Sequence, residues 1–394
     1  MKILTFSTLF PNAVTPGHGI FVETRLRHLV ASGHVQARVM APVPWFPFKR
    51  PSRYAKFAHV PREEIRAGIQ VSHPRFFVLP KIGMSAAPLL LASAVKPALG
   101  RMIDEGYDFD LIDAHYFYPD GVAAAMLGKY FNKPVVITAR GSDITLFPRY
   151  RLPRAMIRWA ASQAAGVITV CRALQDEMHT RGFNAVRVTA LRNGVDLDLF
   201  APVERSTVRA RLGLTQFTLL AVGHLVPVKA QELIIAALPL LPDVQLLIAG
   251  DGPNRKMLND LAHTLGVAHR VTLLGAVAQA QLRDYYGAAD ALVLPSSREG
   301  WANVLLEAMA CGTPVIASRV WGTPEVVAAP EAGLLMSERS AQGVAAAVAS
   351  LRANYPDRAA TRRYAERFSW DDTTAGQVQL FRDILTARAV PCHA

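Results

Sequence analysis

Cysteine is nearly absent: the chain has 394 residues and three cysteines, Cys171, Cys311 and Cys392. They form no Cys-x-x-Cys pair, which leaves no zinc ribbon and no disulfide framework. Cys171 and Cys311 sit in apolar runs and read as small core residues, as expected of a reducing compartment. Long hydrophobic runs are missing too. The stretch MSAAPLLLASAVKPAL from Met84 is broken by Pro88, Lys96 and Pro97. It falls short of the roughly 20 apolar residues that a membrane span needs. The opening MKILTFSTLF carries a lysine, ends at Pro11 and lacks a small-residue cleavage site, so it reads as a strand rather than a signal peptide. There is no low-complexity tract, no block of like charge and no repeat at solenoid periods, which argues against disorder and repeat architectures. A Gly-x-Gly-x-x-Gly followed by an acid is also lacking, which weakens a nicotinamide-dependent oxidoreductase reading. The expectation is a cytoplasmic globular protein.

Acidic residues are in the minority, 31 against 43 Lys and Arg, for a formal net charge of +12. That balance favours anionic partners such as nucleotide phosphates, nucleic acid or an anionic membrane surface. A modest basic cluster gathers Lys49, Arg50, Arg53, Lys56, Arg62 and Arg66. It fits either ordinary solubility or a peripheral membrane contact.

Short runs rich in Val, Ile and Leu alternate with helix-like segments along nearly the whole chain. KILTFSTL, QARVMAP, LIDAHYF, PVVITAR, GVITV and RVTAL read as buried strands in the first half. FTLLAVG, VQLLIAG, RVTLLG, ALVLPSS and TPVIAS do so in the second. Uninterrupted apolar strands alternating with helices predict α/β parallel sheets with right-handed crossovers. The length suggests two domains. The boundary is expected near Phe200–Arg211, giving an N-terminal domain over 1–200 and a second over 201–370. In such sheets ligands bind beyond the carboxyl ends of strands, so chemistry is sought in the loops that follow them.

The strongest signal is SSREGWANVLLEAMACGTPVIAS, residues 296–318. Glu299 lies in a loop after a strand, and a helix opens near Ala302 or Asn303. Glu307 lies inside the helix among Leu305, Leu306, Ala308 and Met309. A carboxylate in so apolar a stretch needs a partner for its charge or its hydrogen bonds. Two readings stay open from the residues alone: a structural ion pair with an arginine, or a carboxylate that binds two vicinal ribose hydroxyls. The helix start supplies free N–H groups suited to a phosphate.

This segment resembles the glutamate-seven-residues-glutamate motif of glycosyltransferase family 4, a retaining family of the GT-B fold. The matching residues are EG at 299–300, VLLEAMACGTPV at 304–315 and GTPEVV at 322–327. The resemblance implies two Rossmann-like domains facing a cleft, with a closing C-terminal helix, about 371–394, packed on the first domain. It implies that Glu299 contacts the transferred sugar and Glu307 the donor ribose. It also implies that main-chain amides of Gly300, Trp301, Ala302 and Asn303 hold the distal phosphate and sugar. AVGHLVPVKAQE resembles the family's glycine–arginine–leucine and lysine–glycine loop. Lys229 fits its phosphate lysine, whereas His224 stands where arginine is usual and Ala230 where glycine is usual. AGDGPNRKM resembles the family's turn near the nucleotide, with Gly250 and Gly252, and the base is expected against Gly275 to Val277. A bare structural turn stays open for both.

In the first half, TPGHGIFVETRL has Gly17 and Gly19 before a helix; a tight turn stays open, and the resemblance to the family's glycine loop near the donor implies that Gly19 lies in the site. His115 and Arg140 each end an apparent strand, and both are candidate catalytic residues with Lys229 and Glu299. Arg140 stands where relatives often have a histidine. It is no base, since a guanidinium ordinarily stays protonated, but it suits a leaving phosphate or an anionic acceptor. Asn193 and Gly194 match the family's turn before the linker. The triplets Asp108–Asp110 and Asp196–Asp198 lack a metal-binding context, so no metal and no cofactor are expected. The implied reaction is transfer of a hexosyl group, with retention, from a UDP- or GDP-linked nucleotide sugar. The acceptor is expected to be a carbohydrate or a lipid-linked saccharide, with no nucleic-acid partner. FSTLFPNAVTPGHGIFVETRLRHL resembles bacterial enzymes of exopolysaccharide, teichuronic-acid or lipopolysaccharide assembly. A GT-B sugar-nucleotide epimerase and a non-enzymatic basic binding protein are the alternatives.

Overall fold

The computed structural model describes residues 1–46, 54–79, 83–183 and 187–389. Lys49, Arg50 and Arg53 of the basic cluster, and Cys392, lie outside them. The chain divides into two compact units, Met1–Arg192 with Asp371–Ala394, and Asn193–Trp370. The division falls ahead of Phe200–Arg211 because the intervening residues pack on the second unit. Val195 N–H donates to Phe368 O at 2.9 Å, and the Phe200 ring meets Tyr286 edge-on at 5.8 Å.

Unit 1 holds an eight-stranded sheet and a two-stranded one. In chain order the strands are β1 Lys2–Phe6, β2 Gln36–Met40, β3 Val43–Trp45, β4 Glu63–Arg66, β5 Ile69–Ser72, β6 Arg75–Phe77, β7 Leu111–His115, β8 Val135–Ala139, β9 Gly166–Thr169 and β10 Val188–Ala190. The large sheet runs β10-β9-β8-β7-β1-β2-β5-β4, and β3 pairs with β6. Every pairing in unit 1 is parallel except β4 with β5. That antiparallel hairpin escapes the sequence reading because EEIRAGIQVS is polar and short, as an edge hairpin is. The helix Trp370–Ala389 returns to this unit, and Val378, Leu380, Phe381 and Ile384 join Ile3, Val22, Leu26 and Val136 in one core.

Unit 2 holds β11 Phe217–Val222, β12 Val244–Ala249, β13 Val271–Gly275, β14 Ala291–Leu294, β15 Val315–Ser318 and β16 Gly333–Met336. All are parallel, in the order β13-β12-β11-β14-β15-β16. This is the doubly wound order of dinucleotide-binding sheets, with its switch point between β11 and β14. Helix residues Ile234, Ile235, Leu258, Val344 and Val348 cover strand residues Leu219, Leu246, Ile248 and Val293. In unit 1 the order reverses between β1 and β7. Among the described residues, no helix is long and apolar enough to cross a membrane.

Candidate functional site

The switch point of unit 2 brings together the loops after β11 and β14. Ser297 N–H donates to Val228 O at 2.8 Å, which ties one loop to the other. Lys229 and Glu299, distant in sequence, thereby meet: Lys229 Nζ lies 2.6 Å from Glu299 Oε1. The lysine side chain is 23% exposed and the glutamate 9%. A charge-assisted bond at the mouth of a sheet is one that a ligand phosphate can compete for.

Ala230, where the family has glycine, takes a left-handed conformation with φ 53°. The departure therefore appears as backbone strain, since such a conformation costs roughly 1–2 kcal/mol for a non-glycine residue. His224 is exposed, and its Nδ1 lies 2.6 Å from Asp251 O. A carbonyl only accepts, so Nδ1 carries a proton and donates, and the ring is moored to the next loop. Gly250 and Gly252 are required by close approach. A Cβ on Gly250 would sit 1.9 Å from Gly223 O, and one on Gly252 2.5 Å from Leu225 O. Gly250 N–H in turn donates to Gly275 O at 2.7 Å. Val277 follows on the half-exposed stretch beyond β13. Arg255, where a dinucleotide fingerprint has its third glycine, donates to Leu273 O at 3.2 Å and laces its helix to β13.

The helix Asn303–Ala310 opens with Ala302 at its cap, which has no side-chain acceptor for the first-turn N–H groups. Gly300 leads into it, and Trp301 and Ala302 are buried. The Trp301 indole N–H donates to Asn193 O at 3.1 Å, and Asn193 Nδ2 donates to Asn303 Oδ1 at 3.2 Å. The Asn193–Gly194 turn thus braces the loop. Glu307 is half-buried, and its Oε2 accepts from Tyr286 Oη–H at 2.7 Å. Burial pushes the Glu307 carboxyl up to about 7, against the Tyr286 hydrogen bond. Among the described residues it makes no ion pair with arginine; its partner is a fully buried tyrosine. Tyr286 is a residue the sequence reading misses, and the tyrosine pair in RDYYGA was its only signal.

The strand ends of unit 1 carry a buried network. Arg140 Nη2 lies 2.7 Å from His115 Nδ1, and His115 Nε2 lies 3.3 Å from Asp113 Oδ2. Arginine only donates, so Nδ1 is the acceptor and Nε2 carries the proton. Gln377, from the last helix, donates to Asp113 Oδ2 at 2.9 Å and accepts from Arg25 Nε at 2.8 Å. His115, Asp113, Arg25 and Gln377 are all buried. Burial lowers the His115 pKa, with Asp113 opposing, and lowers Arg140 to about 9. The histidine therefore supports Arg140, with both ring nitrogens in use, and has none left to act as a base.

Asp143 accepts from the N–H groups of Phe117, Gly141 and Arg140 and fixes the Arg140 turn. Asp120 accepts from Thr8 N–H at 2.8 Å and Thr8 Oγ1–H at 2.9 Å, joining the loops after β7 and β1. Burial raises it to about 7. Gly19 precedes the helix Ile20–Ala31 with φ 70°, and a Cβ there would lie 2.3 Å from the Leu9 carbonyl. Asp113, Asp120, Asp143, Arg25 and Gln377 stand at none of the motif positions that the sequence reading rests on. The signal that marked Glu307, a charge inside an apolar run, is equally present in LIDAHYF.

Three of the four aspartates in the two triplets are engaged in structure. Asp108 pairs with Lys133 at 2.6 Å, Asp110 accepts from Lys2 N–H at 2.8 Å, and Asp196 closes its own turn with Leu199 N–H at 2.9 Å. Among the described residues no three or more His, Cys, Asp or Glu side chains gather as a metal ion's ligands would.

Two family profiles match the chain: Glycosyltransferase Family 4 over residues 17–199 and Glycosyl transferases group 1 over residues 204–368. A Bacillus subtilis (strain 168) protein named as a teichuronic acid biosynthesis glycosyltransferase, TuaC, is 33% identical over 359 residues, covering 88% of each chain. Among solved structures, sucrose-phosphate synthase from Thermosynechococcus elongatus aligns with TM-score 0.80 at 22% identity, over 98% of this chain and 100% of that one. Anabaena Alr3699/HepE in complex with UDP-glucose aligns with TM-score 0.72 at 22% identity, over 98% and 100%.

Proposed function

This chain belongs to the group 1, family 4 glycosyltransferases, and from that premise we propose that it moves a hexosyl group from a UDP- or GDP-linked donor to a saccharide hydroxyl with retention. The observation that carries the reading is the Lys229–Glu299 pair at the switch point of the unit 2 sheet. A donor diphosphate replaces Glu299 as the partner of Lys229, with the N–H groups at the start of Asn303–Ala310 completing the cradle. Glu299, released, accepts from hydroxyls of the transferred sugar. Glu307 accepts from the ribose hydroxyls, with Tyr286 holding its other side.

The acceptor oxygen bonds to the anomeric carbon as the carbon–oxygen bond to the diphosphate breaks. The electron pair leaves on the diphosphate, and the hydroxyl proton passes to a donor phosphate oxygen. No protein base is required, in keeping with the engaged ring of His115. The diphosphate charge is met by Lys229 and backbone N–H groups, so the reaction proceeds without a metal. Unit 1 takes the acceptor, where Arg140, held by His115 and Asp143, suits an anionic group. TuaC's name supports a role in polysaccharide assembly and the UDP-glucose bound to HepE a UDP sugar, while the excess of basic residues fits a cytoplasmic enzyme with peripheral attraction to an anionic leaflet.

The test is a screen of nucleotide sugars for hydrolysis and transfer, with and without chelator, and with the anomeric configuration of the product read by NMR. Glu299→Ala should lower transfer by roughly 10²–10³-fold. It should leave the affinity for free UDP or GDP unchanged or higher, since Lys229 loses its competitor. Equal loss of nucleotide binding and transfer would remove the division of labour.

A further inference from the structure

We propose that unit 1 carries a second anion site, a phosphate-binding cavity between the helix Ala87–Asp104 and the strands β2, β5 and β6. It is independent of the donor and acceptor readings above. The cavity has a volume of about 570 Å³, and Arg38, Arg62, Arg75 and Arg101 all line it.

The register explains the space. β5 pairs Met40 with Ser72 on one side and Glu63 with Ser72 on the other. With a period of two, Arg38, Gln70, Ser72 and Glu63 therefore share a face of the sheet. Over that face the helix presents Ala94, Ala98 and Arg101, a single stripe at helical spacing. Two alanine methyl groups leave a gap where larger side chains would close on the strands, and arginines rim it.

Two of the guanidinium groups are held in place. Arg75 donates to His73 O at 3.2 Å, to Ala58 O at 3.5 Å and to Val60 O. Arg38 lies over the Tyr107 ring at 4.5 Å. Arg62 and Arg101 are exposed at the rim. Among the described residues none of the four forms an ion pair, and only two carboxylates, Glu63 and Glu105, share the lining. Burial and the like charge of Arg62 both lower the Arg75 pKa, which puts these two positive charges near each other, and the four arginines outnumber the two carboxylates. A polar gap lined by four arginines and two carboxylates, with Arg62 and Arg101 exposed at its rim, suits a phosphate. The phosphate belongs either to a soluble phosphorylated compound or to a phospholipid headgroup. Trp45 at the lining, 44% exposed, and Ile65, 78% exposed on the same sheet face, give the second source an apolar border.

The test uses the full chain, wild type and Arg62→Ala/Arg101→Ala, with Lys229→Ala to remove binding at the donor loop. One arm titrates inorganic phosphate and pyrophosphate by calorimetry. The other measures cosedimentation with phosphatidylglycerol-containing and pure phosphatidylcholine vesicles. UDP thermal shift serves as the folding control, and Arg62→Lys/Arg101→Lys separates charge from fork geometry. The expected result, with the donor loop silenced by Lys229→Ala in every chain compared, is at least about a tenfold loss of phosphate affinity in the double alanine variant, with partial rescue by lysine. Loss confined to the phosphate arm assigns the site to soluble phosphates. Loss in both arms extends it to headgroups. Affinities within twofold of wild type in both arms, or no binding by wild type in either, overturn the proposal.

Discussion

Asp113, His115, Arg25 and Gln377 in unit 1 are each no more than 2% exposed and bond to one another. Unit 2 builds its strand ends the other way. His224 is exposed, Lys229 is 23% exposed, and the lysine's carboxylate partner stands on a separate loop. Both units reach this point from the same parallel architecture and the same rule that loops past the strands carry the polar groups. The difference lies in desolvation. A buried network fixes geometry at the risk of a large penalty if one member goes, whereas a lysine that keeps some exposure and bonds a single carboxylate on another loop can trade that carboxylate for a ligand anion.

Removing a member of each network is the strongest way to break the comparison. Asp113→Ala leaves Arg25 and Arg140 without the carboxylate that opposes the burial of both. Unit 1 should lose roughly 3–5 kcal/mol, read as a lower denaturation midpoint in urea. A variant as stable as wild type would show that the network is not a unit. In unit 2 the effect should move from stability to binding. Glu307→Ala should weaken free UDP or GDP by roughly 1.5–3 kcal/mol, and Glu307→Gln by less, because the amide keeps one acceptor. Calorimetry on both variants checks the order.

Acidity sharpens the contrast further. Burial holds both Asp120 and Glu307 at about 7, above the usual carboxylate range, so the fold favours their neutral forms. The stability each contributes is complete below that usual range and is lost as pH rises through about 7. Both units should therefore weaken over this window. Only unit 2 should respond to nucleotide. Ribose hydroxyls that donate to Glu307 favour its ionised form, so nucleotide affinity should climb with pH, by about tenfold per pKa unit displaced, and level off above 7. Glu307→Gln should flatten the climb. A profile that falls instead places the linked proton elsewhere. The smallest effect is expected at Ala230, where φ is 53°. Ala230→Gly should stabilise unit 2 by roughly 1 kcal/mol, seen as a modest rise in thermal midpoint with nucleotide binding unchanged.

Much of this was legible beforehand. The eleven runs named as strands all contain strands, because buried parallel strands need uninterrupted apolar residues. β3, β4, β5 and β6 lie in mixed or polar sequence that carries no such signal, with β4–β5 forming an edge hairpin, and β16 is a run of only four residues. Glu307 stood out as a charge among leucines, but its partner Tyr286 did not, since nothing local links residues on two helices. Arg25 and Gln377 were invisible for the same reason, being far apart in the chain and joined only by the return of the last helix. His115 was read by position alone, and position gave no hint that Arg140 and Asp113 would occupy both its nitrogens.

That last helix imposes an order in time. A ribosome delivers Asp113, His115 and Arg25 early, but Gln377 and the core residues Val378, Leu380 and Phe381 emerge only after all of unit 2. At bacterial and eukaryotic elongation rates the interval is on the order of ten seconds or more. During it the part of unit 1 that this helix packs on, at Gly166 and Leu191, is uncovered, and Asp113 and Arg25 lack their Gln377 partner. Unit 2, contiguous in sequence, is free to finish first. The unit that begins the chain is thus the one completed last, and a transcript cut short before Trp370 would yield a stranded, half-covered sheet.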